Sequence, residues 1–491
     1  MKDLKEKTIR GGLARVSAQI ANFVFRIGSL MVLARLLAPE DFGLVGMVTA
    51  FTGVLNLFRD FGLSTATVQR ENVTEEQLST LFWINVLVGG ILAVLAVVFA
   101  PLVVRIYHEP RLLWITVTLA SGFLFNAVGV QHSALLQRHL RFTALSVINV
   151  VSLVVSTIAA IIVAKLGYGY WALVAMTVVL PVTTSVGVWI ATAWIPGAPR
   201  RGIGIRSMMR FGGTLTLNGL VVYIAYNMEK VLLGRFWGAE AIGLYGRAYQ
   251  LVNIPTDNLN SSVGEVAFAA LSRVQNDPIR IKNYFLKGYS LVLAMTIPLT
   301  LMSACFAEDL IRIFLGPKWG EAVPIFRLLA PTILIFAMIN PLGWLLFSLG
   351  MVGRSLKLAL VLAPIVIAGY LAGLHYGPKG VALGYSTAML LWVLPHIAWC
   401  VHGTNVSLRD ILATVSRPLL SGIAGAAAAV GAHWLCVPVM GPLPRTIIAG
   451  LVLLGVYVAM MFYVMGQKAF YIELLRGLRS SRTESGALAS A

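Results

Sequence analysis

Charge is what this chain has least of. Only 12% of its 491 residues are Asp, Glu, Lys or Arg, about half the roughly 25% of a soluble domain. Acidic residues are the scarcer sign, 20 against 38 basic. Cysteine is nearly absent. Cys305, Cys400 and Cys436 are odd in number and fit no metal-ligand spacing, so they are expected as small buried apolar residues rather than a disulfide framework. The short patterns of soluble catalysis are missing too: no HExxH, no Asp-x-Asp, no Walker-type glycine loop and no GxSxG. The seven His are scattered, and His132 and His139, seven apart, have no third ligand nearby, so both are expected at a surface or interface. No cofactor or metal is implied, and the chain does not read as an enzyme.

Apolar sequence fills the space. The chain is 58% hydrophobic, with a mean hydropathy of +0.83. Leu78–Val104, Phe142–Ala164 and Thr446–Gly466 contain no charged residue, and each is long enough to cross a bilayer. Hydropathy punctuated by Pro, Gly and charge gives about 14 spans, with little chain left for a soluble domain. The fold class expected is an all-α polytopic membrane protein. Met1–Arg15 carries five basic residues but is followed by a full span containing Arg26, so it does not resemble a cleavable signal.

The net charge of +18 is distributed as membrane topology would have it. With the N-terminus inside, alternate loops collect the Lys and Arg, including Arg138, Arg141, Arg200, Arg201, Arg280 and Lys282. About 25 basic residues fall on that side and about 10 on the other. Both termini are therefore expected in the cytoplasm, the surplus positive charge facing anionic lipids rather than nucleic acid.

One internal repeat stands out. Leu33–Gly46 aligns without gaps on Leu233–Gly246, with six of fourteen positions identical, among them an Arg, a Glu and two Gly; upstream, Arg10 matches Arg210 and Gly12 matches Gly212. Trp194–Arg201 holds two Pro, a Gly and a basic pair and reads as a linker. Six spans precede it, so the second half enters from the same side as the first and the repeat is parallel. The organisation expected is a six-helix lobe over 1–194, a cytoplasmic linker over 195–206, and a second six-helix lobe over 207–403. Two additional helices over 404–467 and a cytoplasmic tail over 468–491 follow. The lobes would surround a central cavity and rock about the linker. Ala424–Ala429, rich in small residues, would let the additional helices pack closely.

Polar residues inside spans are costly and so mark function. Gln19, Asn22 and Arg26 step along one face of the first span. The seventh span carries Asn227, Glu229 and Lys230, the eighth opens with Arg247, and beyond Pro255 lie Asp257 and Glu265. A cleft holding Arg26 with Lys230 or Arg247 suits an anionic head group, because guanidinium forks donate paired hydrogen bonds to phosphate. Gln19, Asn22 and Asn227 would supply neutral polar contacts. Glu229, Asp257 and Glu265 are candidates for ion coupling.

The run Arg59-Asp60-Phe61-Gly62-Leu63-Ser64-Thr65-Ala66-Thr67-Val68-Gln69-Arg70, followed by Thr74-Glu75-Glu76-Gln77-Leu78, resembles the bacterial polysaccharide transporters. So does the run from Lys230 through Gly234-Arg235-Phe236 and Gly243-Leu244-Tyr245 to Ala269–Arg273. These transporters belong to the multidrug, oligosaccharidyl-lipid and polysaccharide exporter superfamily, near the colanic-acid and lipopolysaccharide exporters. The resemblance implies two six-helix lobes and a V-shaped cavity. It also implies a flippase for undecaprenyl-diphosphate-linked oligosaccharide in exopolysaccharide or lipopolysaccharide biosynthesis. Where the family often carries Asn-x-x-Asp in the seventh span, this chain reads Asn227-Met228-Glu229-Lys230. The expected partners are the lipid-linked oligosaccharide, membrane lipids, and the polymerase and glycosyltransferases of the same pathway, with a monomer as the working unit. The alternative is an ion-coupled multidrug or metabolite antiporter of the superfamily. A membrane glycosyltransferase or polymerase fits less well, because the outer loops around 105–111 and 308–321 are short.

Overall fold

The computed structural model describes residues 22–59, 67, 73–200 and 206–468; Gln19, Asp60 and the tail beyond 468 lie outside them. Among the described residues there is no strand, and these residues form fourteen long helical segments. The first half comprises α1 (22–36), α2 (Pro39–Leu57), α3 (Glu75–Tyr107), α4 (Leu112–Arg138), α5 (Phe142–Lys165) and α6 (Trp171–Thr192). Arg206–Arg273 is interrupted at Gly238, which separates α7 (206–237) from α8 (239–273). Then come α9 (Pro278–Cys305), α10 (Ala322–Ser348), α11 (Val352–Gly373) and α12 (Gly377–Val401). The last two are α13 (Leu408–Cys436) and α14 (Pro442–Ala459), the latter continued by a π turn over Met460–Val464.

Length and apolarity alone mark nine stretches among the described residues as membrane spans, one of which runs through both α11 and α12. The four helices they leave out are α1, α2, α7 and α8. These are the first two helices of each half and carry the polar residues singled out above. The chain is an integral, multi-pass membrane protein.

The repeat has a structural counterpart. In the first half the helices part at Ala38, which is extended at φ −86° and ψ 158°, and α2 restarts on Pro39 at its first position, where a missing N–H costs nothing. Asp41 accepts the Ala38 N–H at 2.9 Å. In the second half the break falls on Gly238, at φ 81° and ψ −174°. That backbone is open to glycine and costly for other residues, so the two breaks share a position but not a conformation.

Contacts group the residues into two compact units: 1–247 with 314–322 and 359–385, and 248–313 with 323–358 and 386–491. In the first, α3 packs on α4, α5 on α6, and α4 on α6. Gly89 lets α3 close on Phe123 and Ala127 of α4. His132 is fully buried rather than interfacial. It stacks on Trp189 at 4.3 Å and donates from Nε2 to the Trp194 carbonyl at 3.2 Å, aromatic contacts that a scattered-His reading of the sequence does not reveal. His139 is exposed.

The linker's first residues belong to this unit. Gly197 N–H donates to Ser79 Oγ, and Trp83 Nε1 donates to the Gly197 carbonyl, each at 2.9 Å. Arg200 N–H donates to Thr80 Oγ1 at 3.0 Å, and the Arg200 side chain pairs with Glu76. Residues 194–200 are thus strapped along the first turns of α3.

In the second unit α13 packs on α14 and α9, and α10 packs on α9. Gly422, Gly425, Ala426 and Ala429 are buried in α13, and Gly425 leaves room for the backbone of α14 at Leu453, so the small-residue stretch does admit close packing. Asp309, on the short helix Ala307–Phe314, is 2% exposed. It accepts from Arg445 Nε and from His433 Nε2, each at 2.7 Å, and from Thr446 Oγ1 at 3.3 Å. Burial alone would push the Asp309 carboxyl up, but the Arg445 and His433 hydrogen bonds outweigh it and hold it below its ordinary value. This cluster fastens α13 and α14 to the turn after α9. Of the cysteines, Cys400 is buried, Cys436 half-buried and Cys305 exposed.

Candidate functional site

The first unit contains Asn22, Arg26, Asn227, Glu229, Lys230 and Arg247 together. Asn22 is half-buried and Arg26, one turn later on α1, is exposed. On α7, Lys230 donates from Nζ to Asn227 Oδ1 at 2.7 Å, and Asn227 Nδ2 donates to the Tyr223 carbonyl at 2.9 Å. The ammonium is therefore oriented by an amide that is itself fixed to the helix backbone.

Two tyrosines place α7. Tyr223 Oη donates to the Thr49 carbonyl of α2 at 2.9 Å, and Gly53 makes room for the phenol, since a methyl group there would overlap it. Tyr107, at the end of α3, reaches the Lys230 carbonyl at 3.5 Å and meets Phe51 edge to face at 5.8 Å. Gly234 is what lets the Tyr107 ring approach α7.

Arg247 sits where α8 crosses α2. Its guanidinium lies over the ring of Phe42, 4.3 Å from the centroid, a cation–π contact of about 0.5–2 kcal/mol. The charges of Arg26 and Arg247 repel each other, and Arg247 also repels Lys230. Arg247, on α8, thus lies in the field of one cation from α1 and one from α7. Glu229 is only 2% exposed. It attracts Lys230, and its Oε2 has no hydrogen-bond partner.

Gln19 lies outside the described residues. Asp257 and Glu265 lie on α8, but their side chains are outside the description. Sequence reasoning passed over Phe42, Tyr107 and Tyr223. Phe42 falls inside the repeated stretch, aligned with Ile242, and that mismatch was the one available signal.

The architecture is shared with known transporters. The lipid II flippase MurJ in its inward closed conformation superposes with a TM-score of 0.74 over 92% of this chain and 99% of that one, at 16% identity. An inward-facing multidrug resistance transporter of the MATE family, from the MOP superfamily, gives 0.64 over 82% and 99%, at 14% identity. The fold is that of MOP-superfamily transporters.

Residues 32–324 match the family model described as polysaccharide biosynthesis protein, and the chain belongs to that family. It is 27% identical over 400 residues to the lipopolysaccharide biosynthesis protein WzxC of Escherichia coli K12, covering 79% of this chain and 80% of the relative. It is 32% identical over 293 residues to the teichuronic acid biosynthesis protein TuaB of Bacillus subtilis 168, covering 59% and 61%.

Proposed function

We propose that this protein is a flippase that moves undecaprenyl-diphosphate-linked oligosaccharide from the inner to the outer leaflet of the cytoplasmic membrane. The observation that carries the reading is that Arg247 lies in the field of both Arg26 and Lys230. Such a set of cations suits a multiply charged anion, and a diphosphate offers two phosphates to guanidinium forks and an ammonium. Asn22 and Asn227 supply neutral hydrogen bonds of the kind a sugar chain takes, and the prenyl tail stays in lipid. The named relatives are proteins of lipopolysaccharide and of teichuronic acid biosynthesis, which supports the cargo class.

In this reading the two halves alternate access to the two leaflets, with both termini in the cytoplasm, and the protein catalyses no covalent step. It works as a monomer alongside the glycosyltransferases and polymerase of its pathway. The rival is an antiporter for drugs or metabolites, as in the MATE transporters. A cluster of cations repels the organic cations that such a site would take.

The test is flipping of a fluorescent undecaprenyl-diphosphate oligosaccharide in proteoliposomes, wild type beside Arg26→Ala. Wild-type flipping that the variant loses, at equal protein level, supports the reading. Normal flipping by the variant removes Arg26 from the site. Failure of the wild type to flip, together with transport of a small cation, transfers the assignment to the antiporter.

A further inference from the structure

Phe42 carries two contacts at once. The Arg247 guanidinium covers its ring at 4.3 Å, and Trp319 meets it edge to face, at 5.4 Å between centroids and 65° between planes. Phe42 is 4% exposed and Trp319 is fully buried. Trp319 also donates from Nε1 to the Ala34 carbonyl at 2.8 Å, which pins it to the last turns of α1. Beside it Gly316, at φ 97°, lies against the Arg35 side chain.

Trp319 belongs to the turn Phe314–Ala322, which connects α9 to α10 but packs with the first unit. A turn of the second half is therefore bolted into the first half's helix break. The ring that receives the bolt is the ring that holds Arg247.

We propose that Phe42 is a positioning residue that links the anion site to this bolt. An anionic head group that draws the Arg247 guanidinium off the ring removes one side of the Phe42 cage. Trp319 then packs less tightly, and the turn 314–322 separates from the α1–α2 break. A ligand shifts such an equilibrium only through a difference in affinity between the two states. That difference arises here because Arg247 is shared between ring and anion. The inference rests on the flippase reading for the identity of the anion, though not for the linkage between Arg247 and Trp319.

The experiment measures the distance between spin labels on Leu36→Cys and Lys318→Cys, both exposed positions, with Cys305, Cys400 and Cys436 replaced by alanine. In nanodiscs without ligand, Arg247→Ala and Phe42→Leu should each shift the closed-to-separated ratio about five- to thirtyfold toward the longer distance. Phe42→Tyr, which keeps the aromatic face, should restore the wild-type distribution. Undecaprenyl diphosphate without sugar should lengthen the distance in wild type and leave Arg247→Ala unchanged. An unaltered distribution in ligand-free Arg247→Ala overturns the linkage, and this arm also decides if Phe42→Leu does not fold. Undecaprenyl diphosphate that does not bind wild type overturns the assigned anion instead, leaving the Arg247→Ala result to stand by itself.

Discussion

Gly43 and Gly243, two hundred residues apart, stand in a reciprocal relationship. A methyl group on Gly43 would overlap the Ala239 carbonyl, and one on Gly243 would overlap the Pro39 carbonyl. Residues 39 and 239 are themselves equivalent in the repeat, so α2 and α8 cross at a point where each helix offers its glycine to the other's first turn. The crossing lies directly beside Phe42 and brings α8, with Arg247, onto α2.

Gly43→Ala and Gly243→Ala should therefore each destabilise the protein, by about 1–3 kcal/mol or more, because the obstacle is backbone that cannot rotate aside. Gly246→Ala is the contrast, since nothing lies within 4 Å of the added methyl. In a helix it should be neutral or stabilising by about 0.5–1 kcal/mol. Thermal unfolding of the purified proteins in one detergent checks all three. Equal unfolding temperatures would contradict the tight crossing.

Asn227→Ala should weaken the anion site by releasing the Lys230 ammonium from its 2.7 Å hydrogen bond. A hydrogen bond to a charged group is worth about 1.5–3 kcal/mol, so affinity for undecaprenyl diphosphate should fall about tenfold or more. Lys230→Ala made in the Asn227→Ala background should cost much less than in wild type. Additive losses in the four-protein binding cycle would mean that Asn227 does not act through Lys230.

For Glu229 the orphaned Oε2 is the guide. Buried polar atoms almost always find partners, and a carboxylate oxygen without one is an open ligand position for a cation or proton. Glu229→Gln should keep the fold while abolishing any acceleration of flipping by an imposed ion gradient. Flipping by the variant that responds to the gradient as wild type does would exclude Glu229 from coupling.

Asp309→Asn should loosen α13 and α14, since it leaves the half-buried Arg445 with a neutral partner. A hydrogen bond to a charged group is worth about 1.5–3 kcal/mol. The folded carboxyl titrates below its ordinary value, so its contribution is complete above the unfolded value of about 3.9 and is lost as pH falls through the lower folded one. The gap in unfolding temperature between wild type and Asp309→Asn should be present at neutral pH and narrow in strong acid, as pH falls through the folded value. A gap that does not narrow in strong acid would assign the stabilisation to another group.

The sequence by itself determined the spans, the class of fold and the repeat. Hydrophobic runs, Pro, Gly and loop charge act over one or a few turns and need no knowledge of distant neighbours. The break at 38 and 238 also has a local cause, because Pro39 and Gly238 restrict or free their own backbone. Contacts between distant residues were decided only by the tertiary structure. The burial of His132 among Trp189 and Trp194, the joining of Asp309 to His433 and Arg445, and the seating of Arg247 on Phe42 each pair residues dozens to hundreds of positions apart. Arg26, Lys230 and Arg247 could be chosen from sequence because a charge in a span is anomalous wherever it lies. Phe42 and Trp319 could not, because one aromatic among many apolar residues carries no mark until packing shows what rests on its face.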